Sequence, residues 1–144
     1  MVDVLTEIEI ARPRAEVAAY AADPDNATAW YEKIESVEWK TERPLGVGTQ
    51  VAFVAHFLGR RLAYTYEVQA LEPGERLVMR TSDGPFAMET TYSWEDTARG
   101  GTRMTLRNRG EPSGFSRAFA PFLTGAMRRA NRQDLRRLKE LLES

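Results

Sequence analysis

Tyr64, Tyr66, Tyr92 and Thr90 stand at alternate positions of two segments whose neighbours on the same phase are apolar: Leu62 and Val68 in one, Phe86, Met88 and Trp94 in the other. Residues two apart in a strand share a face, so these hydroxyls point where the apolar side chains point. A hydroxyl turned inward requires a partner, whether protein, water or a guest molecule. Aromatic and methionine side chains offer large, adaptable contact surfaces, and a phenol adds an oxygen that can orient a guest's polar end. The implied chemistry is recognition of a hydrophobic small molecule. An ordinary packed core has the same pattern, and spacing alone leaves both readings open.

Other chemistries find less support. His56 is the single histidine and the only side chain whose ordinary pKa suits proton transfer near neutrality. Alternation sets it opposite Val51, Phe53 and Ala55, so it is expected to face outward unless a one-residue bulge reverses the strand. The acid pairs Asp23/Asp25 and Glu95/Asp96 have structural duties: Asp23 is placed to cap a helix, and Glu95-Asp96 precedes a Gly-Gly turn. Glu89, Arg80, Arg103, Arg107 and Arg109 alternate outward. The absence of cysteine removes disulfides, thiolate nucleophiles and thiolate metal sites. No phosphate-loop or dinucleotide glycine spacing occurs. No metal and no cofactor are expected, and no catalytic constellation emerges.

The elements that would carry these residues follow from periodicity. Residues 2–10 alternate, with Val4, Ile8 and Ile10 on one face. Pro13 suits the start of a helix over 15–22, and Asp23-Pro24 leads a second short helix towards Trp30. Strands are predicted at 34–41, 49–57, 61–71, 76–82, 86–95 and 102–109, separated by Gly- and Pro-bearing turns, among them Asp83-Gly84-Pro85. Connections this short imply an antiparallel meander. From Phe115 the period returns to helical. Phe115, Phe119, Phe122, Leu123, Ala126, Met127, Ala130, Leu138, Leu141 and Leu142 form the apolar stripe of one long helix, with Arg128, Arg129, Arg132, Arg136 and Arg137 mostly opposite.

At 144 residues the chain fits one domain, 1–144, and its apolar fraction of 42% is enough for a core. Net charge is −5 over residues 1–50, zero over 51–114 and +4 over 115–144. Only the last part would interest an anionic surface, and it lacks interleaved aromatics, so no nucleic-acid partner is expected. No apolar run is long enough to span a membrane and no signal peptide is evident, which makes cytoplasm the expected location.

The ordered set of elements resembles the helix-grip fold of the START-like superfamily, also called the SRPBCC or polyketide cyclase/dehydrase-like proteins. Ile8-Glu-Ile10 running into Ala-Arg-Pro13 and Val17 is similar to that family's opening strand and first helix. Asp23-Pro24 with Trp30 resembles its second short helix, Pro44-Leu-Gly-Val-Gly48 its early hairpin turn, and the stretch from Asp134 to Glu143 its terminal helix. The resemblance implies an α+β fold: a curved seven-stranded antiparallel sheet wrapped around a long C-terminal helix, with two short helices between strands 1 and 2.

It also implies a largely apolar cavity between sheet and helix, in which family members bind lipids, sterols, polyketides or other hydrophobic molecules and some catalyse cyclisation or dehydration. The residues expected to line it are Trp30, Phe53, Phe57, Tyr64, Tyr66, Met88, Thr90, Tyr92, Phe115, Phe119, Phe122 and Leu123. Binding a lipid-, sterol- or polyketide-like molecule is the leading expectation. The alternatives are a polyketide cyclase, aromatase or dehydratase in the same cavity, which an inward-facing Arg, Asp or Glu would favour, and a chaperone-activator-like interaction domain, which would carry an exposed apolar patch over a filled interior. Monomer and homodimer are both compatible with the sequence.

Overall fold

The computed structural model describes residues 2–57, 59–81, 87–111 and 120–144, except the side chain of Phe57. The order of elements is β1 (Val2–Ile10), α1 (Arg14–Ala22), a 3-10 turn (Pro24–Asn26), α2 (Ala27–Trp30), β2 (Ile34–Trp39), β3 (Gln50–Phe57), β4 (Arg60–Glu72), β5 (Arg76–Thr81), β6 (Met88–Asp96), β7 (Thr102–Gly110) and α3 (Ala120–Glu143). The seven strands form one antiparallel sheet in the order β1-β7-β6-β5-β4-β3-β2. Strands 2 to 7 form a meander, and β1 pairs with β7, in register from Val2↔Gly110 to Ile10↔Thr102. The helix-grip architecture expected from the sequence is thus present. The expected Asp83-Gly84-Pro85 turn, Phe86, and the proposed start of the last helix at Phe115 lie outside the described residues.

Alternation decides which side of the sheet is wet. On β1, Val2, Val4, Thr6 and Ile10 are buried while Asp3, Leu5, Glu7 and Glu9 are exposed. The outer face carries cross-strand ion pairs, Asp3–Arg107 at 2.7 Å, Glu9–Arg103 at 3.1 Å and Glu89–Arg109 at 2.6 Å. Exposed pairs of this kind contribute little to stability, but they keep the arginines off the inner face. A register shift between Val68 and Ala70 puts a bulge in β4, the longest strand, and bulges increase local bend and twist. The sheet curves around the space that α3 only partly fills.

α3 holds to the inner face by Met127, Ala130, Leu135 and Leu138, all buried. Met127 packs with Val2 and Val4, while Leu135 and Leu138 pack in the cluster that includes Ile10, so the helix runs alongside β1 in the same direction. Its last turn is tied back to the end of β1: Lys139 Nζ donates to Glu9 O at 2.9 Å, and Glu143 Oε2 accepts from Ala11 N at 2.8 Å. Among the described residues no helix is long and apolar enough to cross a membrane.

Gly101 makes the closest approach in this region. A Cβ there would lie 2.7 Å from Ile10 O, a backbone atom with no room to give. Gly101→Ala is expected to cost about 1–3 kcal/mol by prying β1 from the β6–β7 turn. Urea denaturation measures it, and an unchanged midpoint would show that the turn yields freely.

Candidate functional site

Between the sheet and α3 the described residues leave a cavity of about 170 Å³. Strand register assembles most of its wall. Phe53 faces Tyr64 and Ala55 faces Leu62 across β3–β4; Met79 faces Thr90 and Thr81 faces Met88 across β5–β6; Thr90 faces Asn108 across β6–β7. Tyr66 and Tyr92 continue the same inward phase. The helices α1 and α2 and the residue after them add Ala21, Ala22, Ala27 and Tyr31, and β2 adds Ile34 beside Ala55. α3 contributes Met127, Ala130, Asn131 and Asp134. Lys33 is exposed at the rim.

The aromatic side chains are mutually ordered. Phe53 stacks on Tyr64 at 5.8 Å between centroids, and Tyr64 and Tyr66 meet edge to face at 5.5 Å. Burial pushes the phenols of Tyr31, Tyr64, Tyr66 and Tyr92 above their ordinary value, so all four are neutral O–H groups. Their hydrogen bonding is directional. Thr90 Oγ1 donates its only hydrogen to Asn108 Oδ1 at 2.6 Å, so at 2.8 Å it must accept from the Tyr66 hydroxyl. Tyr66 thereby keeps a lone pair free for the cavity. The Tyr31 and Tyr92 hydroxyls bond to each other at 2.5 Å. Tyr64 has no hydrogen-bond partner among the described residues and retains a donor.

The helix side is polar in an unexpected way. Asp134 is only 3% exposed. Burial raises its carboxyl to about 7, and the nearby acidic Glu32 adds to the rise. The Glu32 backbone N–H, which donates to Oδ1 at 3.1 Å, and the positive charge of Lys33 pull the other way. No cation is paired with Asp134 among the described residues. Asn131, one turn earlier on the same wall, is also buried, and its Nδ2 finds no acceptor among the described residues. The cavity is therefore apolar and aromatic round most of its wall, with a carboxyl and an unsatisfied amide at one place on α3.

Of the residues expected from the sequence, Phe53, Tyr64, Tyr66, Met88, Thr90 and Tyr92 come together on this wall. Phe115, Phe119 and the Phe57 side chain lie outside the described residues. Three others are elsewhere. Trp30 is 1% exposed and packs in the main core, its ring 4.1 Å from Tyr31 and 5.8 Å from Tyr92; Tyr31, the next residue, takes the wall instead. Phe122 is 66% exposed, because five residues before Met127 is about 140° round a helix of 3.6 residues per turn. Leu123 packs with Val2, Val4 and Met127 rather than on the cavity wall.

Tyr31, Met79, Asn108, Asn131 and Asp134 were not anticipated. For Asp134 a signal existed. Seven residues after Met127 and four before Leu138, it falls on the phase of the apolar stripe.

The remaining candidates have structural partners. His56 is exposed and bonds Glu35 at 2.8 Å. Asp23 caps the 3-10 turn by accepting from Asp25 N at 3.0 Å. Asp25 accepts from the Trp39 indole at 2.9 Å and pairs with Arg43; these two donors hold its carboxyl below the usual range. Asp96 pairs with Arg14 at 3.2 Å. The large exposed apolar residues among the described ones are Leu5, Val47 and Phe122, on three different segments. No group of acidic and histidine side chains among the described residues has the makings of a metal site.

Comparisons with known proteins agree with this geometry. A family model described as polyketide cyclase / dehydrase and lipid transport matches residues 1–143. The TTHA0849 structure from Thermus thermophilus superposes with a TM-score of 0.82 at 22% identity, covering 96% of this chain and 94% of that one. The Zhui aromatase/cyclase from Streptomyces sp. R1128 gives 0.82 at 18% identity, covering 98% and 93%. A START superfamily protein from Mycobacterium smegmatis gives 0.82 at 14% identity, covering 98% and 97%. At such identities the superpositions establish the shared fold. A search of curated proteins finds no match.

Proposed function

The chain belongs to the polyketide cyclase/dehydrase and lipid transport family, and from that premise we propose that it binds a small hydrophobic molecule in the cavity between the sheet and α3. One observation carries the reading: the described residues leave the space between the sheet and α3 unfilled. The space of about 170 Å³ walled by Phe53, Tyr64, Tyr66, Tyr92 and Met88 compares with apolar cavities of roughly 150 Å³ that take up benzene. Tight packing is the rule in protein interiors, so an opening this large beside half-satisfied hydroxyls suits a guest. The size favours a molecule of one ring, or a short chain of equal bulk, with a hydroxyl donated to Tyr66.

Native mass spectrometry of gently purified protein, with organic extraction of what leaves on denaturation, tests this directly. A discrete stoichiometric added mass is expected. Filling the space supplies the second test. Ala55 is on the wall and 6% exposed; Ala55→Phe is expected to weaken uptake of a hydrophobic fluorescent dye by at least about tenfold while the protein stays folded. Dye uptake equal to that of the parent would remove the cavity as the site.

A second reading is favoured by one side chain. Asp134 is an inward-facing carboxyl that changes charge near neutrality, which suits a general acid or base in a cyclase or dehydratase. Mass analysis of the extracted molecule after incubation with fresh protein distinguishes the two: loss of water or ring closure supports catalysis, and an unchanged mass supports binding alone.

A further inference from the structure

We propose that the guest is a hydrophobic amine, its protonated nitrogen held between the Asp134 carboxylate and the tyrosine rings of the cavity. The inference rests on the cavity reading above and adds the chemical class of the ligand. It starts from what surrounds Asp134. The carboxyl is buried, accepts one hydrogen bond, from Glu32 N, and has no cationic partner among the described residues. The rings of Tyr31, Tyr64, Tyr66 and Tyr92 line the same cavity.

A carboxylate removed from water is costly unless paired, and the negative faces of aromatic rings attract a cation brought into a desolvated space. A ligand ammonium answers both at once. The unsatisfied Asn131 Nδ2 on the same wall calls for an oxygen close to that nitrogen, so an amino alcohol or amino ether fits more completely than a bare amine.

The other charged and titratable groups around Asp134 do not reverse this. Lys33 is exposed at the rim and can remain in water, and Glu32, beside it, opposes its charge. The phenols remain neutral. A carboxylate ligand is the class the cavity should refuse, because it would be set against Asp134.

Benzylamine, benzyl alcohol and benzoate have nearly one shape and three charges, and NMR titration gives their affinities. At pH 8 benzylamine is expected to bind at least about tenfold more tightly than benzyl alcohol, with benzoate weakest. The amine's advantage should shrink as pH falls through about 7, where Asp134 takes a proton while benzylamine stays charged. That pH series needs no variant. Asp134→Asn should erase the advantage of the amine over the alcohol. Equal affinity of amine and alcohol at pH 8, or an advantage that survives in Asp134→Asn, overturns the inference and leaves the cavity reading intact. Failure of all three compounds to bind overturns both.

Discussion

Asp134→Asn is expected to make the ligand-free protein more stable at pH 8, by on the order of 2–4 kcal/mol, and to change it little at pH 4. The ordinary carboxyl titrates at 3.8, and burial moves it to about 7 in the folded state. Between those values the folded protein holds a proton that the unfolded chain has released. Raising the pH therefore draws stability out of the parent protein through this window, and above 7 the loss is complete. Asparagine accepts the same Glu32 N–H without ever taking a charge, so its stability does not fall in the same way. Urea titrations of both proteins from pH 4 to 8, refolded free of any bound molecule, would check the sign. Parallel curves would mean that water or Lys33 already neutralises the buried carboxylate.

Trp30→Ala is expected to cost about 3–5 kcal/mol, the range for emptying a buried aromatic site. Trp30 is 1% exposed and touches the rings of Tyr31 and Tyr92, so its removal takes support from two wall residues as well as leaving a void. Its indole N–H has no acceptor among the described residues, and losing that orphaned donor offsets part of the cost when a ring is kept. Trp30→Phe is thus expected to lose less than half as much. Thermal melts of the two variants, read beside dye uptake, separate a supporting residue from a contacting one. If both variants kept the parent's melting temperature while uptake vanished, Trp30 would belong to the site after all.

The strands were legible because a period of two survives even where individual residues are uninformative. Alternation placed Tyr64, Tyr66, Thr90 and Tyr92 on the inner phase and His56 on the outer one, and the structure has them so. Turn residues marked the connections for the same local reasons. The helix was harder. An apolar stripe is read by looking for apolar residues, and Asn131 and Asp134 hide on it because they are polar among many arginines. Phe122 drew attention for the opposite reason, being apolar and off phase. Trp30 shows a third limit: α2 is four residues long, and no periodicity can tell which of Trp30 and Tyr31 goes to the core and which to the cavity wall.

The pairing of β1 with β7 has a consequence in time. Of the seven described strands β1 comes first in the sequence, and its partner β7, ending at Gly110, is made after the other six. Until then the valines of β1 have no sheet to join, and the loop their pairing must close is about as long as a small domain. The entropy of that closure rises only slowly with loop length, but it is spent before any long-range contact rewards it. The meander can form by successive hairpins; the wall that seats α3 cannot. The seat of α3 therefore depends on one long-range pairing, that of β1 with β7.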